Sequence, residues 1–371
     1  MTRINNLQIY CLLMLVTAPL AFLITPAVIT HLVGNSGWLA VLAAIIPGVL
    51  LIYVYTYILK KSIHPFPAML EDCLGKFVGK ILGFSYILVF LLGIAITLRI
   101  FTSFIGSSIV PDTPLSVYIG SMLLVGYYAL KTGLENIARI AEVLILAGLP
   151  VSFLIILLVI TQQHELTNLL PLVYTSYTNF GLATYETFIL FSNIIAVLTL
   201  AYFSTDRDKT PRTLINVLVT YIALITLSAL AVIMHLGEDY ANLTAFPTFK
   251  LIRSITIADF IRNVDAGFIA LWIIGIYGAV MVLWFMTCYV AQQVFALKDY
   301  RFLAAPTSVI IGILTLMMGS NIEEEGILLS IIFPSIYGVF YIFIPLVIFF
   351  ILIFKPSPGE GVATGLKNPT V

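Results

Sequence analysis

Long apolar runs follow one another along the whole chain, separated by short segments that carry most of the charged residues. Each run reaches or approaches the roughly 17 to 25 residues that an α-helix needs to span the hydrocarbon core of a bilayer. The pattern predicts ten membrane-spanning helices, at 7–33, 37–59, 81–106, 115–130, 138–161, 176–203, 213–235, 267–297, 303–320 and 327–354. No separate soluble domain fits between them, so we expect one transmembrane domain over residues 1–371, with a short cytoplasmic tail at 356–371.

The composition favours an all-α integral membrane protein. Hydrophobic residues make up 61% of the chain and charged residues 10%, whereas soluble domains carry about 25% charged residues. With the N-terminus inside, nearly all lysines and arginines fall on the cytoplasmic side, and only Lys250, Arg253 and Arg262 fall outside. The positive-inside rule therefore predicts a multi-pass cell-membrane protein with both termini in the cytoplasm. Reading the first run as a cleaved signal peptide leaves the orientation of the second run unexplained.

Ten spans divide into two halves of five, and the odd number gives the second half an inverted topology. Transporters built from such inverted repeats bind their ligand near the bilayer midplane, where the first helix of each half is broken. The ten-span pattern therefore predicts a 5+5 inverted repeat with breaks in the first and sixth helices.

The first run contains two prolines in the stretch "VTAPLAFLITPAVI". Pro19 and Pro26 deprive the carbonyls of Leu15 and Phe22 of their helical hydrogen-bond donors, and the lipid hydrocarbon offers no other donor. We therefore predict an unwound segment that contributes ligand-binding residues. These are Thr17, Ala18, Pro19 and Leu20. The alternative is a kinked but continuous helix whose freed carbonyls accept hydrogen bonds from Thr17 or Thr25.

The sixth run has a carboxylate near its centre, in "ATYETFI" at residues 183–189. A charge near the bilayer centre costs about 2.5 to 3.5 kcal/mol on insertion scales, so Glu186 should face a cavity or a partner. We predict a second break here, with Thr184, Tyr185, Glu186 and Thr187 at the ligand site. Glu186 would bind a ligand ammonium or carry a proton; alternatively, it is protonated and bonds a neighbouring helix.

Further candidates lie on three other helices. Arg99 suits a ligand carboxylate or Glu186, because its planar fork binds carboxylates in bidentate fashion, or it extends to the membrane interface. Tyr277 on the eighth helix is a candidate ligand contact or a packing residue. Arg139 and Glu142 are three residues apart on the fifth helix, a spacing that permits a gating or structural ion pair.

The loop at 236–266 mixes charged and apolar residues and predicts short amphipathic helices on the outer face. They would form a lid, a surface for a partner subunit, or a loop packed on its own bundle. The acidic run 323–325 is expected to be a solvated turn, with a cation site as the alternative. Cys11, Cys73 and Cys288 imply no disulfide framework. No metalloprotease, phosphate-loop or clustered metal-ligand motif occurs, so we expect no enzyme, no cofactor or metal, and no nucleic-acid partner.

Four stretches together resemble the spore germination permease family. They are "LGKFVGKILGFSYILVF" at 74–90, "TGLENIARIAEVL" at 132–144, "YETF" at 185–188 and "FPTFKLIRSITIADFIRNVD" at 246–265. The resemblance covers nearly the whole chain in order and spacing. The chain departs from the family's pattern at three places. Ala18 and Pro19 stand where the family usually has a glycine and a small residue, and Tyr185 stands where it often has a glycine. The family's outer-loop arginine would fall on Asn263, and this chain has Arg262 one position earlier.

This resemblance implies a fold similar to that of amino acid permeases, of the LeuT-like APC superfamily. It also implies a nutrient-sensing B subunit of a germinant receptor in the spore inner membrane, working with an A-type membrane subunit and a C-type lipoprotein. The implied ligand is a small nutrient, usually an amino acid, bound between the first, third, sixth and eighth helices. The alternative function is an amino acid transporter driven by protons or sodium.

Overall fold

A computed structural model describes residues 3–62, 64–161, 166–170, 176–254, 264–319 and 322–354. Regular structure in these residues is helical, apart from one isolated bridge between Ile4 and Ser204. The expected tail at 356–371 and the part of the outer loop at 255–263 lie outside the described residues. The all-α prediction is therefore confirmed for the part of the chain that the structure describes.

Each of the ten predicted spans coincides with a helix, and we number the helices accordingly. The ten are Asn6–Val33, Gly37–Ala43 with Ile45–Lys61, Lys76–Ser108, Leu115–Thr132, Leu134–Ile160, Tyr177–Phe191 with its continuation to Phe203, Thr210–Asn242, Val264–Val294, Ala304–Met317, and Ile322–Ile327 with its continuation to Phe354. Within the described residues, eight helical stretches are long and apolar enough to cross a membrane. The first of them, Asn6–Lys61, contains both the first and the second helix, and the fourth helix, Leu115–Thr132, is not among the eight. Short helices at Phe66–Leu74, Leu166–Leu169 and Pro247–Arg253 lie between them.

The first helix is continuous from Asn6 to Val33 and includes both prolines. The predicted unwinding around Pro19 is therefore wrong. The alternative is correct in the continuity of the helix and wrong in its donors, because Thr17 donates to the carbonyl of Leu13 and the Thr25 hydroxyl has no partner.

At Pro26 a neighbouring element supplies the missing donor, because the Thr248 hydroxyl donates to the carbonyl of Phe22 at 3.3 Å. Near Pro19 the indole nitrogen of Trp272 donates to the carbonyl of Pro19 at 2.9 Å and joins the eighth helix to the first.

The interruption of the sixth helix also differs from the prediction. Glu186 lies inside a regular α-helix, and the helix tightens to 3-10 geometry at Ser192–Ala196, about two turns later. Ser192 and Asn193 are the first two residues of the 3-10 segment, and their side chains donate to the carbonyls of Ile189 and Leu190, at 2.6 and 3.0 Å. These short polar side chains compete for backbone partners, whereas the Glu186 carboxylate leaves the helical ladder intact.

The first and eighth helices approach each other closely because two glycines face the contact. A Cβ on Gly275 would lie 3.1 Å from Pro19 Cγ, and one on Gly278 would lie 2.7 Å from Leu15 Cδ1. Small residues at helix contacts allow such approach in membranes. The eighth helix thus supports the first helix at its proline, next to the candidate site.

Candidate functional site

Glu186 borders an inner cavity of about 760 Å³, its open mouth included. Five helices contribute to its wall: the first with Leu20, Thr25 and others, the third with Thr97, the sixth with Glu186 and Asn193, the eighth with Leu283, and the tenth with Phe333 and Tyr337. These include the four helices expected from the sequence, and the tenth helix adds a wall that was not predicted. The fold therefore places the intramembrane carboxylate in a concave space between both halves of the chain.

The wall of the inner cavity is apolar except at five side chains, those of Thr25, Thr97, Glu186, Asn193 and Tyr337. Thr97 and Asn193 donate to carbonyls of their own helices, those of Gly93 at 2.7 Å and Leu190 at 3.0 Å. The buried hydroxyl of Thr25 has no hydrogen-bond partner. Among the residues lining this cavity none is a lysine, arginine or histidine. The arrangement suits a ligand with an apolar body, a group that the Glu186 carboxylate can accept from, and a group that the Thr25 hydroxyl can bond.

A second, wider cavity of about 1540 Å³, its open mouth included, adjoins the first and opens at the end of the bundle that carries Asn242 and Gly326. Glu186, Ile24, Val28 and Leu329 line both spaces. We call the wider space the vestibule. Glu186 therefore lies at the junction, reachable from the vestibule, with the apolar inner cavity beyond it.

Backbone and side-chain bonds join the elements at the opposite end of the bundle. Ile4 pairs in a bridge with the end of the sixth helix, bonding Phe203 and Thr205 at 2.9 and 3.0 Å, and Asn6 donates to the carbonyl of Asp206 at 2.8 Å. The Lys209 ammonium lies 2.5 Å from the Asp206 carboxylate and holds the pKa of that carboxyl below its ordinary value. The N-terminal segment thus ties the first helix to the sixth at the end away from the vestibule.

Of the four residues expected at the first-helix break, only Leu20 lines the inner cavity. Thr17 is buried and donates to the carbonyl of Leu13 at 2.9 Å. Ala18 and Pro19 line a separate apolar cavity of about 910 Å³ bounded mainly by the first, fifth and eighth helices. A continuous helix distributes neighbouring residues around its axis, so consecutive positions cannot all face one site.

Of the four residues predicted at the second break, which are Thr184, Tyr185, Glu186 and Thr187, only Glu186 lines the inner cavity. Thr184 and Thr187 bond carbonyls one turn earlier in their own helix, at 2.9 and 3.1 Å. Tyr185 donates to the carbonyl of Pro334 at 2.6 Å, and a Cβ on Gly338 would lie 2.5 Å from its hydroxyl oxygen. Tyr185 therefore anchors the tenth helix beside the site.

Tyrosines from two further helices hold the same part of the tenth helix. Tyr55 donates to the carbonyl of Tyr341 and Tyr86 to that of Phe340, each at 2.5 Å. Both acceptors lie in the π-helical segment Gly338–Phe343, a geometry that is frequent at functional sites. These hydroxyls position the tenth helix, whose Phe333 and Tyr337 line the cavity.

The remaining predicted residues lie away from the inner cavity. Tyr277 donates to the carbonyl of Val125 at 3.0 Å, so its hydroxyl faces the fourth helix. Arg99 is half-buried on the third helix and does not line the inner cavity or the vestibule.

The predicted Arg139–Glu142 pair is wrong. Arg139 pairs with Glu135 at 2.7 Å on an exposed face of the fifth helix. The Glu142 carboxylate instead accepts from Gln8 of the first helix at 3.2 Å. Gln8 lies on another helix, so spacing within the fifth helix could not reveal this partner of Glu142. The four-residue spacing of Glu135 and Arg139 was visible in the sequence and predicts the pair that forms.

Sequence reasoning missed Asn193 and Tyr337, and it assigned Thr25 only to a backbone bond. The pair Ser192 and Asn193 interrupts an otherwise apolar stretch from Phe188 to Leu198, and that signal was available. Tyr337 stands in an aromatic-rich helix with no distinguishing pattern, so only its packing reveals it.

Comparisons with known proteins agree with this architecture. A profile of the spore germination protein family matches residues 3–323. Spore germination protein KB of Bacillus subtilis (strain 168) is 24% identical over 365 residues, covering 96% of each chain. The solved structure of MhsT in complex with L-phenylalanine superposes with a TM-score of 0.68 at 13% identity, covering 95% of this chain and 99% of MhsT. Mhp1, a nucleobase-cation-symport-1 family transporter with bromovinylhydantoin bound, superposes with a TM-score of 0.65 at 10% identity, covering 92% of this chain and 78% of Mhp1. The chain has the LeuT-type fold of these transporters, and it belongs to the spore germination protein family.

Proposed function

We propose that this protein is the nutrient-sensing membrane subunit of a spore germinant receptor and that its ligand binds in the inner cavity beside Glu186. One observation supports this most: an intramembrane carboxylate lies at the junction of a vestibule and an apolar cavity between the two halves of the fold. Such a carboxylate is expensive in a membrane and marks a functional site. The family assignment connects the protein to germination.

The chemistry of the wall supports a small ligand with one cationic group and an apolar body, as an apolar amino acid has. The carboxylate of Glu186 is suited to an ammonium group through a charge-assisted hydrogen bond. The side chains of Ile96, Ile189 and Phe333 supply apolar surface. Thr25 offers an additional hydroxyl at the wall.

The short helix Pro247–Arg253 supports a role for the outer loop next to the site. Thr248, Phe249, Leu251 and Ile252 of this helix are buried against the bundle. The neighbouring residue Phe246 lines the vestibule. The packed helix therefore lies beside the entrance, and in the proposed receptor it would respond to the ligand or to an A-type or C-type partner subunit in the spore inner membrane.

A transporter is the second candidate, and the observation that favours it is the shared fold with substrate-bound transporters. The two functions make different demands on the same site. A sensor needs saturable binding that changes the conformation, whereas a transporter also needs the opposite end of the bundle to open.

Ligand binding and uptake by the purified chain in lipid vesicles would test the proposal. Amino acids, sugars and nucleosides are first screened by thermal shift, because a ligand that binds only the folded state raises its stability. We expect saturable binding of the stabilising compound without accumulation in the vesicles. Sustained accumulation driven by a proton or sodium gradient would support the transporter, and binding unaffected by Glu186→Gln would remove the proposed site.

A further inference from the structure

A cavity of about 850 Å³, its open mouth included, lies between the second and seventh helices, at the end of the bundle that carries the N-terminal segment. Its wall includes Thr56 and Lys60 from the second helix and Arg207, Asp208 and Thr210 from the start of the seventh. It shares no lining residue with the inner cavity or the vestibule. We call it the basal cavity.

The basal cavity lies where the second and seventh helices part. The two helices pack closely at Gly48, where a Cβ would lie 2.7 Å from Leu218 Cδ1. Thr56 follows Gly48 by about two turns, and Thr210 precedes Leu218 by about two turns. The two helices therefore separate between this close contact and the end of the bundle, and polar side chains line the gap between them.

Three polar atoms at this wall are buried and have no hydrogen-bond partner. They are the hydroxyl oxygens of Thr56 and Thr210 and the Nε atom of Arg207. Thr210 as a whole is only 1% exposed. A buried polar group without a partner is costly, and native proteins contain few of them. Three such atoms around one cavity point to a polar ligand.

The charge around the basal cavity favours an anion. The Nη2 atom of Arg207 donates to the carbonyls of Leu59 and Ser62 at 2.6 and 2.8 Å, so these bonds fix the guanidinium without neutralising its charge. Lys60 adds a second positive charge at the wall, against the single carboxylate of Asp208.

The helix that starts at Thr210 strengthens this preference. It continues from Thr210 to a kink at Gly237, and no side chain caps its N-terminus. The N-terminus of a helix carries a partial positive charge and binds phosphate groups readily.

Exposed apolar faces continue from the cavity along both helices. Tyr53 is 60% exposed and lies on the same face of the second helix as Thr56 and Lys60, because the spacings are three and four residues. On the seventh helix, Ile215 and Val219 are 51% and 62% exposed. In a bilayer these faces meet acyl chains. We propose that the basal cavity binds the phosphate group of an anionic phospholipid, whose acyl chains lie along these two faces.

Thr210→Val tests this proposal with the purified full chain in detergent, and phosphatidylglycerol is the probe. The substitution keeps the size and the charge of the site and breaks no existing hydrogen bond. Thr199→Val is the matched control, since Thr199 is fully buried and unpartnered but does not line the basal cavity. By native mass spectrometry and lipid-dependent thermal shift, we expect about tenfold weaker binding in Thr210→Val and unchanged binding in the control. Thr56→Val serves as the second variant, with the same expected direction.

Three outcomes would overturn the proposal. Equal lipid affinity in the wild type, Thr210→Val and Thr56→Val would show that the hydroxyls bind no lipid. Diacylglycerol stabilising the protein as well as phosphatidylglycerol would show that no phosphate is recognised. Stabilisation by inorganic phosphate alone, lost in Thr210→Val, would assign the cavity to a free anion in place of a lipid.

Discussion

The hydroxyl of Thr248 donates a hydrogen bond to the backbone carbonyl of Phe22, at 3.3 Å. Phe22 lies four residues before Pro26, so this is the carbonyl that the proline ring deprives of its helical donor. Thr248 is 2% exposed and belongs to the short helix Pro247–Arg253. The outer helix is thereby attached to the first helix at a proline, beside the vestibule.

Thr248→Val should lower the free energy of unfolding by about 1 kcal/mol, because it leaves the Phe22 carbonyl buried without a donor. The loss should shrink in a Pro26→Ala background, since an alanine at that position supplies a backbone N–H to the same carbonyl. Denaturant unfolding of the four proteins of this double-mutant cycle measures the coupling. Ser254→Ala is the control, because that hydroxyl bonds only the carbonyl of Leu251 in the same short element, at 2.6 Å. An equal loss in both backgrounds would show that Thr248 does not serve the proline.

Glu186→Gln should shift the ligand response by roughly ten- to a hundredfold in concentration, because it removes a charge-assisted hydrogen bond of about 1.5 to 3 kcal/mol. The protein level should stay normal, since removing a membrane-buried charge adds no insertion cost. Germination rate against nutrient concentration measures the shift, with immunoblotting of spore membranes beside it. Glu135→Gln, at an exposed ion pair, should leave the midpoint unchanged. An unchanged midpoint in Glu186→Gln itself would reduce this residue to a structural role.

Thr25→Val should weaken the ligand response several-fold without loss of stability. The Thr25 hydroxyl lines the inner cavity and has no partner in the protein, so its removal leaves no protein group unpaired. Thr226→Val is the matched control, because Thr226 is also buried and unpartnered but does not line that cavity. A dose-response curve identical for both variants and the wild type would exclude Thr25 from ligand recognition.

The positive-inside pattern predicts that the vestibule faces the outside of the membrane. In a background that lacks Cys11, Cys73 and Cys288, single cysteines at the exposed positions Asp208 and Asp299 should resist an impermeant thiol reagent in intact cells. A cysteine at the exposed position Asn242 should react. Labelling of Asp208→Cys and Asp299→Cys together with protection of Asn242→Cys would reverse the orientation.

The apolar runs by themselves determined the helices, because a bilayer leaves a spanning segment no way to satisfy its backbone except within a helix. The same physics identified Glu186: a carboxylate in an apolar run is so unfavourable that it must face a cavity or a partner. These conclusions depend on the chain and its solvent, and they need no knowledge of how the helices pack.

Only the tertiary structure decided which neighbours complete each helix. Pro19 and Pro26 freed carbonyls as expected, but the first helix stays continuous, and Thr248, from an element distant in the chain, donates to the Phe22 carbonyl that Pro26 freed. Glu142 bonds Gln8 instead of Arg139 for the same kind of reason. The inner cavity likewise depends on the tenth helix, held by Tyr185 and other hydroxyls that no local pattern marks. Hydropathy is a property of each segment, whereas hydrogen-bond partners and cavity walls exist only where segments distant in sequence meet.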